Sequence, residues 1–176
     1  MTRGRVTGSW AIAAAMATAL LSGCAPAAPA PSPTPTGFAS EEEAFAAAEE
    51  TYRAYVAALN AVDLSDPATF EPVYALTTGD ARDQEKRGLT QMHADGWSVE
   101  GVTRIDAIYA GDTRNEVIVC LDVSEVEVLD SEGESQVSDV RPDLYALRIG
   151  ISATNKTTVR ALITDSEAIE DDRCVP

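Results

Sequence analysis

The stretch Gln91–Val123, QMHADGWSVEGVTRIDAIYAGDTRNEVIVCLDV, contains the change of period that decides the fold. Up to Ala94 the apolar residues fall at helical spacing, with Leu89, Met92 and His93 sharing an inner face with Ala81. Asp95-Gly96 then stops the helix, since glycine readily takes the left-handed conformation that a helix C-terminus requires. Beyond Gly96 the period drops to two, as on the alternating faces of a pleated strand. Val102–Tyr109 and Val117–Val128 are predicted strands, joined by the turn AGDTRN.

Upstream the pattern is helical throughout. Ser40 and Glu43 form an S-x-x-E capping box that opens a first helix. Phe45, Ala48, Tyr52, Tyr55, Val56 and Leu59 recur at spacings of three and four, so one face is apolar, while Glu49, Glu50 and Arg53 occupy the opposite face. DLSDPATFEPVYAL reads as a turn and a short helix, with Asp66 as cap and Pro67 at the first helical position. Pro72 falls inside that pattern and must kink or split it. GDARDQEKRGLTQMHADG is the third helix.

Downstream, DSEGES ends the second strand and DVRPD breaks the chain again. Strands return at Leu144–Ser152 and Thr157–Thr164, joined by ATNK. Short connections throughout make the sheet antiparallel, with about four strands and helices covering one face. The fold class is α+β.

The 176 residues include 13 basic and 29 acidic side chains, a formal charge of −16. So acidic a surface lacks the basic footprint that nucleic acid requires, and it does not favour adhesion to anionic lipid. The acid is scattered, with short clusters at Glu41–Glu43 and Glu170–Asp172, as on a solvated exterior.

The N-terminus has a different composition. Arg3 and Arg5 precede an apolar run, Trp10–Leu21, and no acidic residue stands before Glu41. This is the pattern of an export signal. At about 18 Å as a helix, the run is too short for a hydrocarbon core of ~30 Å. Leu21-Ser22-Gly23-Cys24 then resembles a bacterial lipobox. That resemblance implies a diacylglyceryl group on the Cys24 sulfur and cleavage that leaves Cys24 as the first mature residue. The tract APAAPAPSPTPTG after it favours extended polyproline II and would hold a domain about 40 Å from the membrane. The expected organisation is therefore a signal peptide over 1–23, a lipidated cysteine and tether over 24–37, and one α+β domain over 38–176. Loss of Arg3 and Arg5 would take the mature charge to about −18.

With Cys24 lipidated, two of the three cysteines remain in an oxidising compartment. The arithmetic favours one disulfide, Cys120–Cys174, over two free thiols. Cys174 is placed about ten residues past the last strand, in an acidic tail.

The order of elements resembles the nuclear transport factor two-like, or cystatin-like, cone, in which N-terminal helices pack on a curved antiparallel sheet. It is most similar to exported actinobacterial lipoproteins of that superfamily, where a Cys-x-Asp in a middle strand (Cys120-Leu121-Asp122) pairs with a cysteine past the last strand (Cys174). One departure is TTVRALITD, where many relatives carry a tryptophan; here Trp97 stands at the handover from helix to sheet. The resemblance implies a pocket between the first helix and the concave sheet, used for catalysis by isomerases and dehydratases of the superfamily.

Few residues are candidates for such chemistry. His93 is the only histidine, and on its helix it reads as a packed or surface residue rather than a base. Asp122 is either a pocket acid or, as its strand position favours, an outward residue. Tyr52 and Tyr55 could line a pocket but are spaced like core residues. DSEGESQVSD lacks calcium-loop spacing, no Cys/His set has zinc spacing, and no Ser lies in G-x-S-x-G; no metal or cofactor is expected. The favoured reading is a non-enzymatic, lipid-anchored binding or interaction module on the extracytoplasmic face of the cell membrane, with an envelope protein or small apolar molecule as partner. The alternative is an isomerase, dehydratase or cyclase.

Overall fold

The computed structural model describes residues 37–175. The expected signal peptide, Cys24 and the expected tether up to residue 36 lie outside the described residues, as does Pro176.

Helix α1 spans Glu41–Leu59, and the Ser40 side chain accepts from the Glu43 amide at 3.1 Å. The reciprocal half of the expected capping box is shifted by one residue, because the Glu43 carboxylate accepts from the Ala39 amide at 2.6 Å instead. The buried stripe runs Ala44, Ala47, Ala48, Thr51, Tyr52, Val56. It is rotated from the predicted face, with Phe45 and Leu59 at its half-buried margins. A short 3₁₀ turn, Pro67–Phe70, is capped by Asp66, whose side chain accepts from the Ala68 amide. Helix α2, Glu71–Ala75, follows at once with Pro72 in its first turn, so the expected break is a change of helix type. Helix α3 spans Gly79–Ala94, and Gly96 follows its cap at φ 71°.

The extended half holds β1 (Ser98–Glu100), β2 (Arg104–Ala110), β3 (Glu116–Asp122), β4 (Glu127–Leu129), β5 (Leu144–Ala153) and β6 (Ala161–Ile169). The order β2-β3-β5-β6 makes one four-stranded antiparallel sheet. β1 and β4 form a separate two-stranded ribbon.

Three predicted strand boundaries are corrected. The long strand Val117–Val128 is two strands, since Asp122 caps a turn at Ser124 and the Val126 amide bonds to the Val123 carbonyl. Gly101 packs at this break: at φ 78°, an added Cβ would lie 1.8 Å from the Glu125 carbonyl oxygen. The predicted strand from Val102 begins at Arg104, and Ser98–Glu100 is an extra short strand. The last strand starts at Ala161 rather than Thr157 and runs on to Ile169, because the backbone of Asp165–Ile169 continues the ladder with β5 although Asp165, Ser166 and Glu167 are polar. Cys174 therefore lies five residues beyond the sheet.

Bulges at Ile105/Ala107 and Gly150/Ile151 bend and twist the sheet. On its concave side, Val117, Val119, Leu121, Ile149, Ile151, Ala161 and Ile163 pack against Ala47, Ala48, Tyr52 and Val56 of α1 and Ala81 of α3. A second cluster of Leu64, Phe70, Val73, Tyr74 and Leu89 joins α2 to α3. The edge of β6 is partly covered, the Ile163 amide and carbonyl bonding to Leu76 and Thr78.

The opposite side of β3 is covered as well. Ala107, Cys120, Ala146 and Ile169 lie in one row across the four strands. The two alanines beside Cys120 leave room for Cys174, which is bonded to it with the Cα atoms 5.2 Å apart. This is why EVIVCLDV shows an unbroken apolar run: its central strand is buried on both faces.

Candidate functional site

The resemblance directs attention first to the space between α1 and the sheet, and that space is filled by side chains. Tyr52 stands in the middle of it with 2% of its surface exposed. One turn on, Tyr55 lies at the margin, its ring centroid 5.5 Å from that of Tyr52. The Tyr55 hydroxyl donates to Glu85 Oε1 of α3 at 2.5 Å.

Burial pushes the Glu85 carboxyl above its usual range, opposed by the hydrogen bond from Tyr55. Burial, together with the negative charge of Glu85, pushes both tyrosine hydroxyls up, so each stays a donor at neutral pH. A carboxylate raised by desolvation beside a phenol has the ingredients of a general base. Around it, however, lie packed side chains, and three concavities of the described domain are lined by other residues. The helical pattern gave no sign of Glu85, which lies between the polar residues Gln84 and Lys86.

The other candidates separate in space. His93 sits at the exposed end of α3, where its Nδ1–H donates to the Leu64 carbonyl at 2.7 Å and its ring meets Phe70 edge-on. It brackets the loop after α1 against α3. Asp122 ends β3, accepting from the amide and hydroxyl of Ser124, and these bonds hold its carboxyl below the usual range. It caps a turn, consistent with the outward reading. Among the described residues no group of three or more His, Cys, Asp or Glu side chains could hold a metal ion, and no helix is long and apolar enough to cross a membrane.

An accessible concavity lies elsewhere, in a groove of about 440 Å³ where the domain begins. Phe38, Ala153 and Leu162 supply apolar lining; Thr78, Ser152 at the end of β5 and the turn residues Thr154–Lys156 supply polar lining; and Glu43 and Arg160 complete it. Arg160 forms an ion pair with Glu43 Oε1. Three separate segments build this groove, so no local motif could announce it.

No known protein-family model matches the chain, and no curated protein matches it. Solved structures do resemble it in architecture. The intermembrane space region of chloroplast protein ARC6 is 12% identical over 72% of this chain and 97% of its own, with a TM-score of 0.49. TraE, solved in complex with 2-(2-furyl)isonicotinic acid, is 12% identical over 77% of this chain and 100% of its own, with a TM-score of 0.48. An NTF2-like protein of unknown function from Exiguobacterium sp. 255-15 is 10% identical over 69% and 98%, with a TM-score of 0.41. The fold is an α+β arrangement of three helices on a bent four-stranded antiparallel sheet.

Proposed function

We propose that this chain is a lipoprotein, anchored through Cys24 to the extracytoplasmic face of the cell membrane, whose NTF2-like domain is a non-enzymatic interaction module. The anchor rests on Leu21-Ser22-Gly23-Cys24 and the signal-like segment before it. The non-enzymatic part rests on one observation. The concave face of the sheet is occupied by the protein's own side chains, from Ala47 to Ile163, where a cyclase or isomerase would need room for substrate. Recognition of an envelope protein or small molecule then falls to the outer surface, with the acyl group alone as membrane contact.

A second reading, an isomerase-, dehydratase- or cyclase-type enzyme, has the Tyr55–Glu85 pair in its favour. The test separates the parts. Full chain expressed in a bacterial host should take up a fatty-acid analogue, and Cys24→Ala should remain unlabelled and leave the membrane fraction. Equal labelling of the two would sink the anchor. Turnover of any substrate that Glu85→Gln abolishes without unfolding the protein would sink the non-enzymatic reading.

A further inference from the structure

The groove at the start of the domain has a cationic lining although the chain as a whole is acidic. The chain carries a formal charge of −16, yet two cations, Lys156 and Arg160, line this concavity beside a single acid, Glu43, and an aromatic ring, Phe38. That acid is fully used: one carboxylate oxygen pairs with Arg160 and the other accepts from the Ala39 amide. Arg160 spends only part of its five-donor fork on Glu43. Among the described residues Lys156 has no carboxylate at ion-pair distance. Thr78, which also lines the groove, makes no capping bond with its hydroxyl.

Ser152, Thr154 and Asn155 add polar lining, and the Phe38 ring and Leu162 supply a half-exposed apolar part. The volume of about 440 Å³ lies within the ~300–1,000 Å³ of small-molecule sites. Two cations and a hydroxyl beside an aromatic wall match a ligand with one anionic end and one apolar end.

We propose that this groove binds small carboxylates bearing an apolar ring or short chain, the carboxylate between Lys156 and Arg160 and the apolar end against Phe38 and Leu162. The proposal deepens the reading of the domain as a surface interaction module and rests on it. Desolvating the apolar part supplies affinity, while the cations select the sign of the charge and confer salt dependence.

The test is ¹⁹F NMR with the full chain in zwitterionic lipid nanodiscs, with empty nanodiscs as the reference. The probes are 4-fluorophenylacetate and 2-(4-fluorophenyl)ethylamine, which share a ring and differ in the sign of the charge. The carboxylate should bind and the amine should not. Lys156→Glu, on an exposed turn, should weaken the carboxylate about tenfold or more, and raised salt should weaken it in the wild type. Absent binding, or equal binding of the two probes, overturns the ligand class and leaves the anchored-module reading standing. Carboxylate binding that is lost in Glu85→Gln but unchanged in Lys156→Glu overturns both, because it places the ligand between α1 and α3.

Discussion

Breaking the Cys120–Cys174 bridge is the perturbation whose size follows most directly from the structure. The two residues are 54 apart in sequence. In the chain-entropy account, a loop of that length restricts the unfolded ensemble by about 4 kcal/mol. Nothing else of comparable strength holds the tail. Its 3₁₀ turn, Asp172–Cys174, is fastened by Asp171, which accepts from the Arg173 amide and pairs with its guanidinium, and by Arg173 lying 5.1 Å from the Tyr109 ring centroid. These contacts are at the surface and contribute little. Cys120 is 0% exposed and Cys174 6%, so releasing the tail also uncovers the apolar row across β2, β3, β5 and β6. At about 2.1 cal/mol/K per residue for a domain of about 140 residues, a loss of 4 kcal/mol lowers the unfolding midpoint by about 14 °C. The assay is calorimetry of the oxidised wild type against the Cys120→Ala/Cys174→Ala double variant, with thiol titration of the unfolded, unreduced chain. A midpoint within about 3 °C of the wild type, or thiols at Cys120 and Cys174 that titrate without reduction, would refute the reasoning.

Two further outcomes follow from the geometry. Because the folded Glu85 carboxyl is raised above its ordinary value of 4.5, chiefly by burial, the folded protein binds that proton more tightly than the unfolded chain. Its contribution to stability is therefore present at low pH and is lost as pH rises from about 4.5 through the folded value. Glu85→Gln should flatten that part of a urea-midpoint-against-pH profile and match or exceed the wild type at pH 7; an unchanged slope with a lower midpoint would contradict the assignment. Gly101→Ala forces a Cβ into the Glu125 carbonyl at a φ of 78°, which should cost about 2–4 kcal/mol in urea denaturation; a loss below 0.5 kcal/mol would show that the ribbon of β1 and β4 yields freely.

The covered outer face gives the domain two apolar layers, one beneath the helices and one beneath the tail. A sheet open to water on one side would have needed polar residues at Ile118 and Ala146. Both are buried around the bridge instead, so the disulfide also closes a layer of the core.

The features legible in the chain itself are those governed by neighbours in sequence. The caps at Ser40 and Asp66, the stop at Gly96 and the switch from helical to alternating spacing depend on bonds and dihedrals within a few residues, and the helices lie where those signals place them. The pairing of Cys120 with Cys174 is legible by elimination on the expectation that Cys24 carries lipid. Tertiary contacts decided the rest. Val123–Val126 looks like strand but turns, because Gly101 admits the Glu125 carbonyl from a distant segment. Asp165–Glu167 looks like loop but is strand, because its backbone is paired by β5 whatever its side chains are. The Glu85 carboxyl is raised because tertiary packing buries it, beside Tyr55 30 residues away. The groove exists only where residues 37–43, Thr78 and 152–162 converge. Register, local electrostatics and cavity shape arise between segments far apart in the chain, beyond the reach of spacing along it.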